Sequence, residues 1–406
     1  MKKLLRKLSP VLLAVLFVTA CKKNDSGDHD HDHEEETVEE FRHIRLLVSD
    51  VNGTTLTQVA PVDGKITNFE ARYPNATLYA TGTSRFAALL YGTRNFSEFF
   101  DTGLELHDDH VDIKGTPKFA AITAEGLKPT HFKSRGTETL IFNDGDGTLS
   151  VGEESNFHTT GAKFNVLNAG LDAHHGAMAQ FDNKTYAVTF VDKSSAKAGP
   201  HGVKIINASG TVVHESTLPV SRLHGNATDG TNAVFGVEGG VLVVNASGAQ
   251  KLIPNPGDWG TIRLGTILEA KGVNKFVGFV ATKGAYLIDI AANSIVPILE
   301  NTDVMQAKVN MKGNHLNVLL HDGTLKIFDL ANNTLLREKN VVPATSTTEA
   351  IKPVMEATSK YVYITSPSTG EVHQVKTEDL SAVTKFKVSA QPSKLVILGF
   401  ETNESH

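Results

Sequence analysis

The chain is almost free of cysteine: Cys21 is the only one in 406 residues. That excludes an internal disulfide and any thiolate metal site in the body of the chain. Basic blocks are missing as well. The formal net charge is −6, and without a positive patch no nucleic-acid partner is expected. No apolar run reaches the ~20 residues that span a bilayer as a helix. Beyond residue 40 no helical periodicity is sustained, which leaves an all-β reading. A nucleophile elbow or a paired acid–base arrangement is also absent, so no enzyme is expected.

What is present begins with a targeting segment. Lys2, Lys3, Arg6 and Lys7 precede the short apolar run Val11 to Val18, and Val18-Thr19-Ala20-Cys21 reads as a lipobox. Residues 1–20 are therefore expected to be a lipoprotein signal peptide, with Cys21 as the lipidated residue. Membrane attachment would be through that anchor only, in a bacterial cell envelope, on the periplasmic side of a membrane or at the cell surface. Residues 21–40 hold Asp28-His29-Asp30-His31-Asp32-His33 and then three glutamates. No large apolar residue occurs from Lys22 to Glu36, so this stretch reads as a flexible tether. Its alternating His and Asp mark His29, His31 and His33 as loose metal-capturing groups.

Residues 41–402 read as one domain and 403–406 as a tail. Short β-rich runs are split by Gly, Asn and Asp turns, and one hairpin recurs. Leu140-Ile141-Phe142-Asn143-Asp144-Gly145-Asp146-Gly147-Thr148-Leu149 has a relative in Val318-Leu319-Leu320-His321-Asp322-Gly323-Thr324-Leu325, with looser copies around Gly239 and Gly284. Asp-Gly supplies the positive φ of a tight hairpin. The Asp144/Asp146 pair is read as part of that turn, because the offsets of a calcium loop are missing. Aligned on the hairpins, an earlier strand falls near Ala76, His131, His175, His224, Gly265, Lys308 and Pro353. A period of about 40–50 residues is the mark of a β-propeller. The expectation is a single all-β propeller of about eight four-stranded blades, with seven as the alternative. Arg42 to Tyr73 lacks a first strand and Gln391 to Gly399 has no blade after it, so the C-terminal strand is expected to pair into the N-terminal blade. A monomer is expected.

His131, His175 and His224 occupy the same place in three successive repeats, where inner strands begin and converge on the channel. Glycine follows two of them, at Gly176 and Gly225. The one long insertion carries His107 and His110, expected on a loop above the channel where one or both complete a shell. Zinc suits such a nitrogen-rich set; copper(II) and nickel stay open, and copper(I) is less favoured without a thiolate. Asp108, Asp109 and Asp172 are candidates for a last ligand or for orienting imidazole N–H groups. His174 is an alternative to His175.

The segments His107-Asp108-Asp109-His110, Lys128-Pro129-Thr130-His131-Phe132, Phe142 to Thr148, His174-His175-Gly176 and Leu223-His224-Gly225-Asn226-Ala227 resemble, in order, motifs of periplasmic zinc metallochaperones of the AztD type. The resemblance is sharp between about His107 and Ala227. It implies a β-propeller that binds zinc through histidines among His107, His110, His131, His175 and His224. It also implies delivery to the solute-binding protein of a zinc ABC transporter. Two other readings of the residues stand beside it: a propeller-type metal-dependent hydrolase or lactonase, and a metal-free interaction propeller.

Overall fold

A strand buried on both faces needs an apolar centre, and this chain supplies such runs at regular intervals. Phe86–Tyr91 and Glu138–Asn143 are buried at every position. Successive side chains of a strand point to opposite faces, so each run feeds two different packing layers. In Glu138–Asn143, Ile141 packs toward the preceding sheet while Leu140 and Phe142 pack toward the following one.

The computed structural model describes residues 39–194 and 199–405. The segment read as a signal peptide, Cys21, and His29, His31 and His33 lie outside them. Eight four-stranded antiparallel sheets make up the fold, with one further two-stranded sheet. It is an eight-bladed β-propeller. No α-helix occurs among the described residues, only three short 3-10 turns, and no helix is long and apolar enough to cross a membrane.

Numbered in chain order, blade 1 contains His43–Asp50, Thr55–Ala60 and Lys65–Glu70, and its inner strand is the C-terminal Pro392–Phe400. That strand runs antiparallel to His43–Asp50, with Leu395 opposite Val48 and Phe400 opposite His43. The ring thus closes as expected, and it leaves no open edge between first and last blades. The other inner strands are Thr77–Ala80, Pro129–Arg135, Met178–Gln180, His224–Thr228, Thr266–Ala270, Val304–Val309 and Met355–Ala357. All but one start close to the predicted positions. In blade 7 the strand begins at Val304 rather than near Lys308, because hairpin alignment does not register the length of the first-to-second-strand loop.

Eight separate apolar clusters fill the eight seams between neighbouring blades. The seam between blades 8 and 1 is as apolar as the rest, with Ile44, Leu46 and Ile397 packed on Tyr361 and Tyr363. Because burial is satisfied in the seams, the axis is left free for polar side chains. His131, Lys133 and Arg135 alternate along one inner strand and share its channel side. Lys133 donates to the Asn226 carbonyl at 2.6 Å, and burial pushes its ammonium down to about 8.

Strand order also fixes which loops share a face. Inner strands start at one mouth and end at the other. Turns between second and third strands therefore return to the starting mouth, while those between third and fourth strands lie at the opposite mouth.

Candidate metal centre

His131 sits in Pro129–Arg135 beside a bulge between Pro129 and His131. His224 opens His224–Thr228 beside an equivalent bulge between His224 and Asn226. Bulges re-aim side chains at the rims of sheets, and here they turn both imidazoles toward one point. Gly225 makes the second bulge possible. Its φ is +53°, and a Cβ there would stand 2.5 Å from the Gly265 carbonyl oxygen. His175 lies in the loop that leads into Met178–Gln180.

These three side chains come from consecutive blades and meet. Their ring centroids are 4.6 Å (His131–His175), 5.2 Å (His175–His224) and 6.1 Å (His131–His224) apart. One ring nitrogen of each lies within 4.8 Å of the others. His175 Nε2 and His224 Nε2 face each other at 3.1 Å. The back of each ring is already engaged: His175 Nδ1 donates to Asp144 Oδ2 at 2.7 Å, and His224 Nδ1 donates to the Gly265 carbonyl at 3.0 Å. With both Nδ1 atoms donating, both Nε2 atoms present lone pairs. Two lone pairs at that separation repel unless a cation lies against them. His131 Nε2 is buried with no hydrogen-bond partner, although such groups are almost always paired. A tetrahedral zinc with bonds of about 2.0–2.1 Å needs nitrogen pairs roughly 3.4 Å apart. The facing pair at 3.1 Å is close to that spacing, and a three-imidazole donor set suits that ion.

Burial, reinforced by the neighbouring His175, pushes the His131 imidazole down to about 4. Burial lowers His224 as well. Asp144 is nearly buried, which opposes ionisation, yet bonds from His175 and Thr130 and the adjacent imidazoles hold it below the usual carboxylate range. The folded-state value of His131 lies below its ordinary 6.5, so the unfolded chain takes up a proton first as the pH falls. The His131 contribution to the stability of the metal-free protein is therefore expected to fall away from about pH 6.5 down to about pH 4. His131→Asn should reduce that dependence, the rest staying with His43, His174, His224 and His315, which burial lowers as well. Melting temperatures at pH 7, 6 and 5 check it, and a flat profile for the unaltered protein counts against the burial argument.

The three histidines singled out in the sequence come together, while the polar groups around them differ from those expected. His174 is engaged elsewhere: Nδ1 donates to the Asp172 carbonyl at 2.7 Å and Nε2 reaches Thr189 Oγ1 at 3.2 Å. Asp172 turns its carboxylate to Lys193 at 2.8 Å. The carboxylate that meets the trio is Asp144, read from sequence as a turn residue. The signal was its loop, which has four residues, Asp144 to Gly147, where the blade 7 copy has three, His321 to Gly323.

His107 and His110 do not join the trio. Their hairpin is inserted between the third strand of blade 2, Phe96–Asp101, and the fourth, Lys118–Ala124. It therefore stands at the opposite mouth. There Leu106, Asp108 and Asp109 wall a cavity of about 1000 Å³ together with Ser84, Thr137, Lys271 and Gly399. Asp108 and Asp109 are consequently remote from the trio, and His107 and His110 form a second group with Asp112.

The arrangement of blades resembles that of known structures. AztD from Citrobacter koseri matches this chain with a TM-score of 0.80 at 21% identity, covering 89% of this chain and 99% of that one. The fold is AztD-like. The apo structure of the same Citrobacter koseri AztD matches with a TM-score of 0.78 at 20% identity, over 88% and 98% of the two chains. A more distant match is the dihydro-heme d1 dehydrogenase NirN in complex with DHE, with a TM-score of 0.59 at 13% identity, over 88% of this chain and 75% of NirN. At these identities the likeness to AztD and to NirN concerns the fold. No protein-family model matches the sequence, and no curated protein does.

Proposed function

We propose that this chain is a zinc carrier of the bacterial envelope. It would be lipid-anchored through Cys21 and bind a zinc ion among His131, His175 and His224. The cargo would pass to the solute-binding protein of a zinc ABC transporter, and His29, His31 and His33 would serve as a looser capture site. The observation that carries this reading is the pair of facing Nε2 atoms at 3.1 Å, both with their Nδ1 side occupied. The AztD-like fold and the sequence resemblance to zinc metallochaperones support the choice of zinc.

Carriage is favoured over catalysis by the surroundings of the trio. A hydrolytic zinc site needs a general base free to work on the bound water. The carboxylate at hand, Asp144, is committed to His175 Nδ1. The ligands are also unequal in exposure: the His175 side chain is 49% accessible while His131 Nε2 is buried. An incoming donor can reach the ion from the His175 side and take it over one ligand at a time.

Zinc titration of the chelator-stripped protein, with and without residues 22–36, tests the proposal. The tight equivalent is expected to survive removal of that segment and to raise the melting temperature. Binding that disappears with residues 22–36 would overturn it.

A further inference from the structure

Just inside the trio the channel holds a positive charge that no carboxylate neutralises at contact. His131 and Lys133 stand two residues apart on Pro129–Arg135, so both point to the same side of that strand. Two residues of strand rise about 6.5–7 Å, which places Lys133 one rung below His131. Its ammonium spans from blade 3 to blade 5, past the blade that carries His175, and donates to the Asn226 carbonyl at 2.6 Å. Asn226 lies two residues beyond His224 on His224–Thr228. The charge therefore sits beneath two members of the trio at once.

The carboxylates of the channel are committed elsewhere. Glu269, on the inner strand of blade 6, lies 3.9 Å from Arg135, and Asp182 pairs with Arg135 as well. Glu356 of blade 8 is held by Lys308 of blade 7. Behind the trio, Asp144 accepts from His175. Among the described residues no carboxylate stands within ion-pair range of Lys133, and its hydrogen bond goes to a neutral carbonyl. A lysine drawn out of bulk water is normally paired. Lys133 is half-buried without such a partner.

A brace between blades 3 and 5 needs a donor but no charge. The charge itself acts on whatever the trio binds. Like charges one rung apart repel, and the effect is stronger in a protein channel than in bulk water. The protonated nitrogen has no lone pair to give, so Lys133 is not a ligand. On the far side of the trio lies the exposed His175 side chain. A divalent ion there meets repulsion from the channel and an open path at the mouth.

We propose that Lys133 limits how tightly the trio holds zinc, its ammonium repelling the ion from the channel side and favouring release past His175. The inference rests on the trio being the zinc site. Sign separates it from simple bracing. If Lys133 only spaced His131 and His224, its loss would loosen the trio and weaken binding. If its charge opposes the ion, a neutral replacement tightens binding. Loss of the donor to Asn226 is common to the metal-free and loaded protein, so it cancels in the affinity.

The test uses the full chain, stripped of metal and titrated with zinc chloride at pH 7 against a competing chelator. Lys133→Met is expected to hold the tight equivalent about tenfold more strongly and to surrender it to excess chelator about tenfold more slowly. Lys133→Arg, which restores the charge, should reverse the gain. Cobalt(II) spectra of the variants should coincide with that of the unaltered chain, because the ligands are the same. Unchanged or weaker binding in Lys133→Met overturns the proposal, as does equal tightening by Lys133→Arg or a cobalt spectrum that shifts with Lys133→Met. Should Lys133→Met fail to fold, Lys133→Gln decides the matter: it keeps a donor for Asn226, drops the charge, and is expected to show the same gain. Lack of a tight equivalent in the unaltered chain is failure of the carrier reading and overturns this inference with it. A tight equivalent that Lys133→Met leaves unaffected overturns this inference alone.

Discussion

Replacing His131, His175 and His224 together with alanine is expected to abolish the tight zinc equivalent, weakening binding by at least about a thousandfold, while leaving the metal-free protein folded. The reason for the second half lies in the packing. The blades are held by eight seam clusters, and none of the three histidines belongs to them. An orphaned buried polar atom such as His131 Nε2 costs on the order of 1–3 kcal/mol. Its removal offsets much of the packing lost with the ring. The metal-free variant should therefore melt near the unaltered protein. The loaded proteins should differ sharply, because a ligand at a thousand times its Kd stabilises the native state by about 4 kcal/mol. Calorimetric titration and thermal melts with and without zinc read both halves. A tight equivalent that persists in the triple variant would remove the trio from the function.

The second large effect is expected at a residue that touches no metal. Asp144→Asn should weaken zinc binding by about 10–100-fold, the usual consequence of losing the acceptor behind a ligating imidazole. Asp144 Oδ2 receives the His175 Nδ1–H at 2.7 Å, and its side chain is 1% exposed. The carboxylate therefore does two things: it fixes the tautomer that leaves Nε2 free, and it places negative charge behind the ligand. Asparagine keeps an acceptor oxygen but loses the charge. Asp172→Asn is the control, since that carboxylate faces Lys193 instead, and it should leave affinity unchanged. Nitrogen-15 chemical shifts of the His175 ring add a readout that a merely structural role would not move. Equal weakening by both substitutions, or none by Asp144→Asn, would exclude this role for Asp144.

The fold was legible because the hairpins repeat, and the trio because it recurs at one position of that repeat. Two departures from the expected arrangement, over where His107 and His110 stand and over which carboxylate meets the trio, have a single cause. In an antiparallel blade the chain changes face at every turn, so the number of strands traversed decides which mouth a loop reaches. The insertion after Phe96–Asp101 follows a third strand and lands away from the trio. The Asp144 turn follows a second strand and lands beside it. Composition made the first loop look like a ligand donor and the second like punctuation. Turn chemistry alone carries no information about that parity, and the count of strands before each loop does.

The inner strand of blade 4 is the shortest rung among those that carry the trio. Met178–Gln180 has three residues, against seven in Pro129–Arg135 and five in His224–Thr228. His131 and His224 are locked into ladders, but His175 stands before its strand begins. The compliance of the centre is therefore concentrated in one of its three arms. On the carrier reading, detachment would have a preferred order, with the exposed arm swinging away first and the two anchored arms keeping the ion in place until a new donor has arrived.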